Sequence, residues 1–145
     1  MRGDTSEVAE VKIDRSVVRF EPPDILYFEI VGSPPKDEAA KIMDAAARLT
    51  EGQDHLFVLS NIGGSADFPA DARKVVADRL VALPVRASAL FGGSFQLRVL
   101  ITLAYKVRDL IKGGAKVPTR FCATEAEARA WIDEQRTRLK PAGQP

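Results

Sequence analysis

The stretch FVLSNIGGSADFPADARKVVADRL, residues 57–80, changes from the hydrophobic pattern of a strand to that of a helix. An apolar segment at residues 55–60 predicts a short strand, and the two glycines that follow allow the chain to reverse sharply. A helix is predicted from Pro69, because apolar residues then recur every three or four positions until Pro84. A strand, a turn and a helix in this order indicate one unit of a parallel sheet covered by helices.

The same alternation extends along the chain in both directions. Two strands are predicted around the turn at residues 22–24, and a helix with Ser33 as N-cap and Pro34 as its first residue follows them. Beyond the opening stretch come a strand, a long helix, a further strand and a last helix with the capping-box spacing at residues 124–127. The predicted order of elements is therefore ββαβαβαβα.

This order predicts a single α/β domain. The sheet is expected to be mixed and mostly parallel, with five strands, a leading antiparallel hairpin and about four helices. We predict a flexible lead-in at residues 1–15, the domain itself at residues 16–139 and a frayed tail at residues 140–145. We find no internal repeat and no linker that would divide the chain.

Composition and charge limit the classes of function. The chain has 145 residues and a net charge of +1, which gives no electrostatic basis for nonspecific nucleic-acid binding. A single cysteine excludes an internal disulfide, and together with a charged N-terminus without an apolar signal region it favours the cytoplasm. The longest strongly apolar run, residues 99–105, is far shorter than the roughly 20 residues that span a membrane, so no stable membrane insertion is expected.

Residues with catalytic potential are few. His55 stands at the start of a predicted strand and Cys122 lies inside an apolar one, where cysteine is usually an inert packing residue. A nucleophile pair of these two residues stays open as an alternative. The sequence contains no phosphate-binding loop, nucleophile elbow or dinucleotide fingerprint, and we predict no catalytic residue, metal site or cofactor.

The turn in the opening stretch is one candidate site. Ser65, Asp67, Phe68 and Arg73 follow the central strand, at the edge where open α/β sheets bind their ligands. Asp67 is able to cap the next helix, and we predict that these four residues form a partner-binding surface or a phosphorylation site. A plain connection between strand and helix is the alternative.

A second candidate site opens the third helix. Gly92 and Gly93 precede Ser94, which is a suitable N-cap, and Arg98 follows one helical turn later. Backbone N–H groups at a helix N-terminus attract anions, so this segment is a candidate anion cradle. Simple helix capping is the alternative.

The third helix has an unusually wide apolar arc. We expect four of its residues to face the sheet: Val99, Leu103, Val107 and Leu110. Leu97 and Ile101 extend the arc beyond the width that a surface helix needs to cover a core. They are expected either to pack under a neighbouring helix or to form a dimer surface or an apolar ligand pocket.

Three segments resemble a known family. They are FEPPDILYFEIVG at residues 20–32, FGGSFQLRVL at residues 91–100 and RFCATEAEARAWI at residues 120–132. Together with the element order they resemble the SpoIIAA-like branch of the STAS domains, also described as STAS/SEC14-like bacterial proteins. The resemblance covers roughly residues 16–132 and implies a non-enzymatic regulatory domain.

The resemblance also implies a site. In STAS anti-sigma-factor antagonists, a partner kinase phosphorylates a serine at the N-terminus of the helix after the central strand, in a motif close to Asp-Ser-Ser/Thr-Gly. The matching positions here are Asp67, Phe68, Pro69 and Ala70, which keep the acidic residue but lack both hydroxyl groups. We therefore expect an interaction module without the usual phosphoserine switch.

Two functions follow as expectations. The first is binding of a protein partner through the turn at residues 63–70 and the following helix, with a homodimer through the third helix as a further alternative. The second is a carrier or sensor of a small apolar or anionic ligand, lipid-like by the SEC14 resemblance, bound near residues 92–101.

Overall fold

The computed structural model describes residues 9–114 and 116–138 and has an α/β architecture. The strands and helices, in chain order, are β1 (Ala9–Ile13), β2 (Ser16–Glu21), β3 (Ile25–Gly32), α1 (Lys36–Leu49), β4 (Leu56–Ser65), α2 (Ala70–Leu80), β5 (Val85–Phe91), α3 (Phe95–Ile111), β6 (Thr119–Cys122) and α4 (Glu125–Arg138). The predicted alternation of strands and helices from β2 onward is confirmed.

The sheet is mixed, as predicted, and its six strands lie side by side in chain order. The pairs β1–β2 and β2–β3 are antiparallel, and every pair from β3 to β6 is parallel. Because strand order equals chain order, each helix that connects two parallel strands crosses back over the same face of the sheet. The result is one layer of three helices, α1 to α3, on that face.

The first strand corrects the predicted lead-in. Residues 9–13 are not loosely ordered but form β1, in which Val11 pairs with Val18, so the sheet has six strands rather than five. The pattern AEVKI does alternate, and the side chains of Val11 and Ile13 pack against the core. β1 forms a hairpin with β2 across residues 14 and 15, and the alternation in AEVKI is the local signal that the predicted lead-in overlooked. Residues 1–8 and the predicted tail at residues 140–145 lie outside the described residues.

The first helix begins later than predicted. Ser33 does not cap it, because Pro35 is the N-cap residue and the helix begins at Lys36. A residue before proline is pushed to extended backbone, so Pro34 is unable to be the first helical residue when Pro35 follows it. The predicted start of the last helix is confirmed, since the Glu127 amide donates to the Thr124 hydroxyl at 3.2 Å.

The two faces of the sheet carry separate cores. The larger core lies under α1, α2 and α3 and contains alternate residues of the strands, for example Leu26, Val58 and Leu90. The smaller core lies under α4, where Ala128 and Ile132 are fully buried against the opposite face. Alternation of side chains along each strand supplies both cores from the same strands.

The orientation of α3 corrects the prediction for that helix. The residues expected to face the sheet are exposed instead: 44% for Val99, 43% for Leu103, 43% for Val107 and 77% for Leu110. Leu97 and Ile101 are buried, with 2% and 7% of their surface exposed, so they form no dimer surface. The wide apolar arc allowed either face to be inside, and the contacts with α2 and the sheet select the face around Leu97.

Candidate functional site: an apolar cavity at the end of the sheet

The central strand is longer than predicted and forms the edge of the site. β4 continues through the glycines to Ser65, where it pairs with Gly32 after a register shift between Glu29 and Val31. The predicted turn is therefore limited to the residues between Ser65 and α2. This extension brings Ser65 beside the end of β3, at the carboxyl edge of the parallel strands.

A close contact of two glycines joins β4 to the loop after β5. A Cβ atom on Gly92, whose φ is +81°, would lie 2.8 Å from the backbone of Gly63. No side chain fits at that distance, so the loop before α3 approaches β4 only because residue 92 is glycine. The approach positions the first turn of α3 over the end of the sheet.

An apolar cavity of about 120 Å³ lies between the sheet and the three helices α1 to α3. Its floor is formed by neighbouring strands, in which Phe28 of β3, Ser60 of β4 and Leu90 of β5 lie side by side in register. Each helix contributes to the wall: Ile42 and Met43 from α1, Val76 and Leu80 from α2, and Leu97, Ile101, Ala104 and Tyr105 from α3. The cavity is therefore part of the larger core.

The mouth of the cavity lies at the turn between β4 and α2. Of the lining residues, Ser65 and Phe68 are half-buried and Asp67 is exposed. The structure thus brings together two sets that the sequence placed at separate sites, since Leu97 and Ile101 of the second set line the same cavity. These five residues surround one volume.

Arg73 does not line the cavity but stabilises the turn at its mouth. Its guanidinium Nη1 donates a hydrogen bond of 2.6 Å to the carbonyl oxygen of Phe68. This contact fixes the backbone that carries Phe68 at the mouth. Ser65 is held in a similar way, because its hydroxyl donates to the carbonyl oxygen of Gly32 at 3.2 Å.

The loop before α3 shapes the cavity wall. A Cβ atom on Gly93, whose φ is +78°, would lie 2.8 Å from Ile62, a lining residue. Ser94 is the N-cap as predicted, with its hydroxyl accepting from the Leu97 amide at 3.1 Å. The Arg98 guanidinium lies over the Phe121 ring, 5.6 Å from its centroid, and Arg98 does not line the cavity. Anion binding by this segment stays a prediction.

The deep wall of the cavity is uncharged. The Tyr105 and Ser88 hydroxyls form a hydrogen bond of 2.7 Å, and both residues are buried. Burial raises the pKa of Tyr105 to about 12, so its phenol is neutral at physiological pH. The lining residues include one carboxylate, Asp67, and it lies at the mouth.

Comparison with known proteins identifies the fold. No protein-family model and no curated protein matches this sequence. A solved structure described as an uncharacterised protein of the DUF3478 family from Shewanella loihica PV-4, with a SpoIIAA-like fold, superposes with a TM-score of 0.57. The alignment has 14% identity and covers 91% of this chain and 98% of that one. The protein has a SpoIIAA-like fold.

A second solved structure agrees. The anti-sigma factor antagonist SpoIIAA in its unphosphorylated form superposes with a TM-score of 0.52 and 14% identity, covering 80% of this chain and 96% of that one. The predicted STAS-type architecture is thus confirmed as a fold. In this SpoIIAA-like fold the cavity mouth coincides with the turn for which the resemblance predicted partner binding.

Other reactive residues of the SpoIIAA-like domain lie away from the cavity. Cys122 pairs with Phe91, which is level with Asn61, whereas His55 precedes the other end of β4. Six residues of strand separate the two levels, about 20 Å, so the Cys122–His55 pair is excluded. Burial also raises the pKa of the Cys122 thiol, which makes it a poorer nucleophile.

A charged cluster occupies that opposite end of the sheet. The buried carboxylate of Asp24 accepts from Arg136 Nε at 3.0 Å and Nη2 at 2.6 Å, and His55 Nε2 lies 3.2 Å away. The hydrogen bond and charge of Asp24 raise the pKa of Arg136 despite its partial burial. In residues 9–114 and 116–138 no group of three or more histidine, cysteine or acidic residues is able to hold a metal ion, and no helix is long and apolar enough to cross a membrane.

Ser60 is the cavity residue that sequence reasoning missed. The predicted strand ended at this residue, and its hydroxyl had no predicted role. A signal was present, because Ser60 lies midway between Val58 and Ile62 at the period of a strand. A polar residue at that position interrupts an otherwise apolar face.

Proposed function

We propose that this protein is a carrier or sensor that binds a small apolar molecule in the cavity between the sheet and α3. The main support for the proposal is the cavity itself. It has an apolar deep wall, and its mouth lies at the carboxyl edge of the parallel strands. Open α/β sheets bind ligands at that edge. The mouth residues Ser65, Asp67 and Phe68 would then control entry.

The volume limits the size of the ligand. Apolar cavities of roughly 150 Å³ stay dry and bind benzene or xenon, whereas drug-sized pockets measure about 300–1,000 Å³. A cavity of about 120 Å³ therefore fits a molecule of about one aromatic ring. A longer lipid would have to extend through the mouth past Phe68.

Binding without turnover fits the lining. Its polar side chains are Ser60, Ser65, Asp67 and Tyr105, which include no histidine, cysteine or lysine. General acid–base catalysis needs a group with a pKa near the working pH, and burial moves the pKa of the Tyr105 phenol further above that range. We infer a non-enzymatic role.

Titration calorimetry with toluene tests the proposal. We expect the wild-type protein to bind toluene, and Ala104→Leu to weaken binding at least tenfold, because Ala104 lines the cavity and the larger side chain fills it. Ala130→Leu is the matched control, since Ala130 is exposed on α4, and it should bind like wild type. Circular dichroism checks folding, and Ala39→Leu fills the cavity from α1 if Ala104→Leu does not fold. Absence of toluene binding by the wild type would overturn the proposal.

The outer face of α3 supports a second function, binding of a protein partner. Six large apolar residues are exposed on this helix: Phe95, Val99, Leu103, Val107, Leu110 and Ile111. A contiguous apolar stripe of this length is uncommon on a monomer and is typical of interaction surfaces. Lys106 lies on the same face, so a partner with apolar side chains and nearby acidic groups would fit best. The related fold of an anti-sigma factor antagonist agrees with such a role.

Affinity capture tests the second function. We expect Leu103→Asp to abolish capture of a partner that the wild type retains, and Gln96→Asp, a change at an exposed polar position of the same helix, to leave it intact. Phe68→Asp and Arg73→Glu test the turn in the same assay. Native mass spectrometry separates a homodimer from a foreign partner. Equal capture by all four variants would contradict both surfaces.

A further inference from the structure

The Ser60 hydroxyl is a polar group in the floor of an apolar cavity. Its side chain points to the same face of β4 as Val58 and Ile62, which belong to the larger core, and 7% of the residue is exposed. The strands on either side place Phe28 and Leu90 directly next to it. Ser60 therefore lies at the centre of the floor, surrounded by apolar side chains.

This hydroxyl differs from those of the other buried serines that the structure describes. The Ser16 hydroxyl accepts from the Val31 amide at 3.1 Å, and Ser88 is bonded to Tyr105 at 2.7 Å. Within residues 9–114 and 116–138, no side chain or backbone group forms a hydrogen bond with the Ser60 hydroxyl. The oxygen lines the cavity and is not enclosed by protein atoms. It is therefore available to a molecule inside.

Water is a poor occupant of this position. A buried water needs two to four polar partners, and the side chains next to Ser60 in the floor, Phe28 and Leu90, are apolar. The Tyr105 hydroxyl, which is in the cavity wall, is already hydrogen-bonded to Ser88. A ligand that brings its own apolar body and one polar atom satisfies Ser60 better than water does.

We propose that Ser60 determines the specificity of the cavity by hydrogen-bonding a small neutral ligand with one hydroxyl or carbonyl group, such as a phenol. This inference rests on the proposed function, because it requires that the cavity binds a ligand. The Asp67 carboxylate at the mouth disfavours anions by like-charge repulsion. The ligand class is thus a single apolar ring with one neutral polar substituent, and carboxylates are excluded.

Binding of p-cresol compared with toluene tests the inference, since the two molecules differ by one hydroxyl group. The measured quantity is the ratio of the toluene Kd to the p-cresol Kd, obtained by titration calorimetry. We expect Ser60→Ala to lower this ratio about tenfold, because one buried hydrogen bond is lost. Ser16→Ala is the matched control: Ser16 is also a buried strand serine, but it does not line the cavity, so the ratio should not change.

The outcomes separate the two proposals. If Ser60→Ala binds toluene and leaves the ratio unchanged, the role of Ser60 is overturned while the ligand-binding function stands. If the wild type binds neither compound, both proposals fail. If Ser60→Ala does not fold, a measurement on the wild type alone tests the inference. Nuclear Overhauser contacts from bound p-cresol should place its hydroxyl-bearing end beside Phe28 and Leu90. The opposite orientation of p-cresol would overturn the inference.

Discussion

On one face of the sheet a single helix packs closely and is held by charged pairs, whereas on the other face three helices leave free space. Under α4 the core combines fully buried alanines, such as Ala87 and Ala128, with large residues such as Ile132. Under α1 to α3 the core surrounds a cavity of about 120 Å³. The same strands supply both faces, so the faces differ in the helices that cover them and in the charged pairs that hold those helices.

Charged pairs fix α4 to the sheet. Arg129 donates to both carboxylate oxygens of Glu21, at 2.9 and 3.1 Å, and Arg136 donates to both oxygens of Asp24. On the opposite face, the ion pair between Arg79 and Asp44 joins α2 to α1, not to the sheet. Ion pairs thus join α4 to β2 and to the turn after it on one face, whereas on the other face the pair joins two helices to each other.

The largest expected effect is a loss of stability when a buried isoleucine of each core is replaced by alanine. Ile132→Ala should lower the free energy of unfolding by about 4 kcal/mol, because Ile132 is completely enclosed beneath α4. Ile101→Ala should cost about 2 kcal/mol, since one side of Ile101 already faces the cavity and makes fewer contacts. Urea unfolding measures both. Equal losses would show that the two faces are packed alike.

The next effect concerns the charged pair at the end of α4. Arg136→Ala should lower the free energy of unfolding by about 3 kcal/mol, because it leaves the Asp24 carboxylate buried with His55 as its remaining side-chain partner. Arg138→Ala, at an exposed position of the same helix, is the control and should change stability by less than about 0.5 kcal/mol. If both variants lose the same free energy of unfolding, the Arg136–Asp24 pair does not hold α4 against the sheet.

A smaller effect is expected at the rim of the cavity. Gly92→Ala and Gly113→Ala both place a side chain at a φ near +80°, with values of +81° and +77°. The added Cβ meets the Gly63 backbone at 2.8 Å in the first case and open space in the second. We expect losses of about 2 and about 1 kcal/mol by thermal or urea unfolding. Equal losses of stability would contradict the close approach of the loop before α3 to β4.

The smallest effect is a pH dependence. Burial alone would raise the pKa of Glu21, but the hydrogen bond and charge of Arg129, with a contribution from Arg19, lower it below the unfolded value near 4.5. A lowered folded-state pKa means that this carboxylate stabilises the protein fully above pH 4.5 and loses its effect as the pH falls through the folded value.

Glu21→Gln tests that dependence. The wild type should be more stable than the variant near pH 7 by less than about 1 kcal/mol, and the difference should disappear in acid, as measured by urea unfolding at several pH values. Glu51→Gln, at an exposed position after α1, should show no such change. A difference between wild type and Glu21→Gln that is constant from pH 7 to pH 3 would contradict the ion pair with Arg129.

The sequence by itself determined the element order from β2 onward, the parallel arrangement and the N-cap at Ser94. These are local properties, because hydrophobic periods, glycines and capping residues act within a few positions of the chain. The STAS-type resemblance was also visible in three short segments, and the fold confirms it. The unmatched phosphorylation motif at residues 67–70 is equally a property of the sequence alone.

Only the tertiary structure decided which face of α3 is inside and which residues share one site. An apolar arc that covers more than half of a helix is compatible with two orientations. In the folded protein, α3 packs against α2 and the sheet with the face that contains Leu97, and Leu103 is exposed. By contrast, β1 pairs with the very next strand, with Ile13 opposite Ser16, so its alternating pattern was a local signal that the predicted lead-in overlooked. Ser65 and Ile101 are far apart in sequence, and they meet at one cavity because the crossover helices stack on the same face.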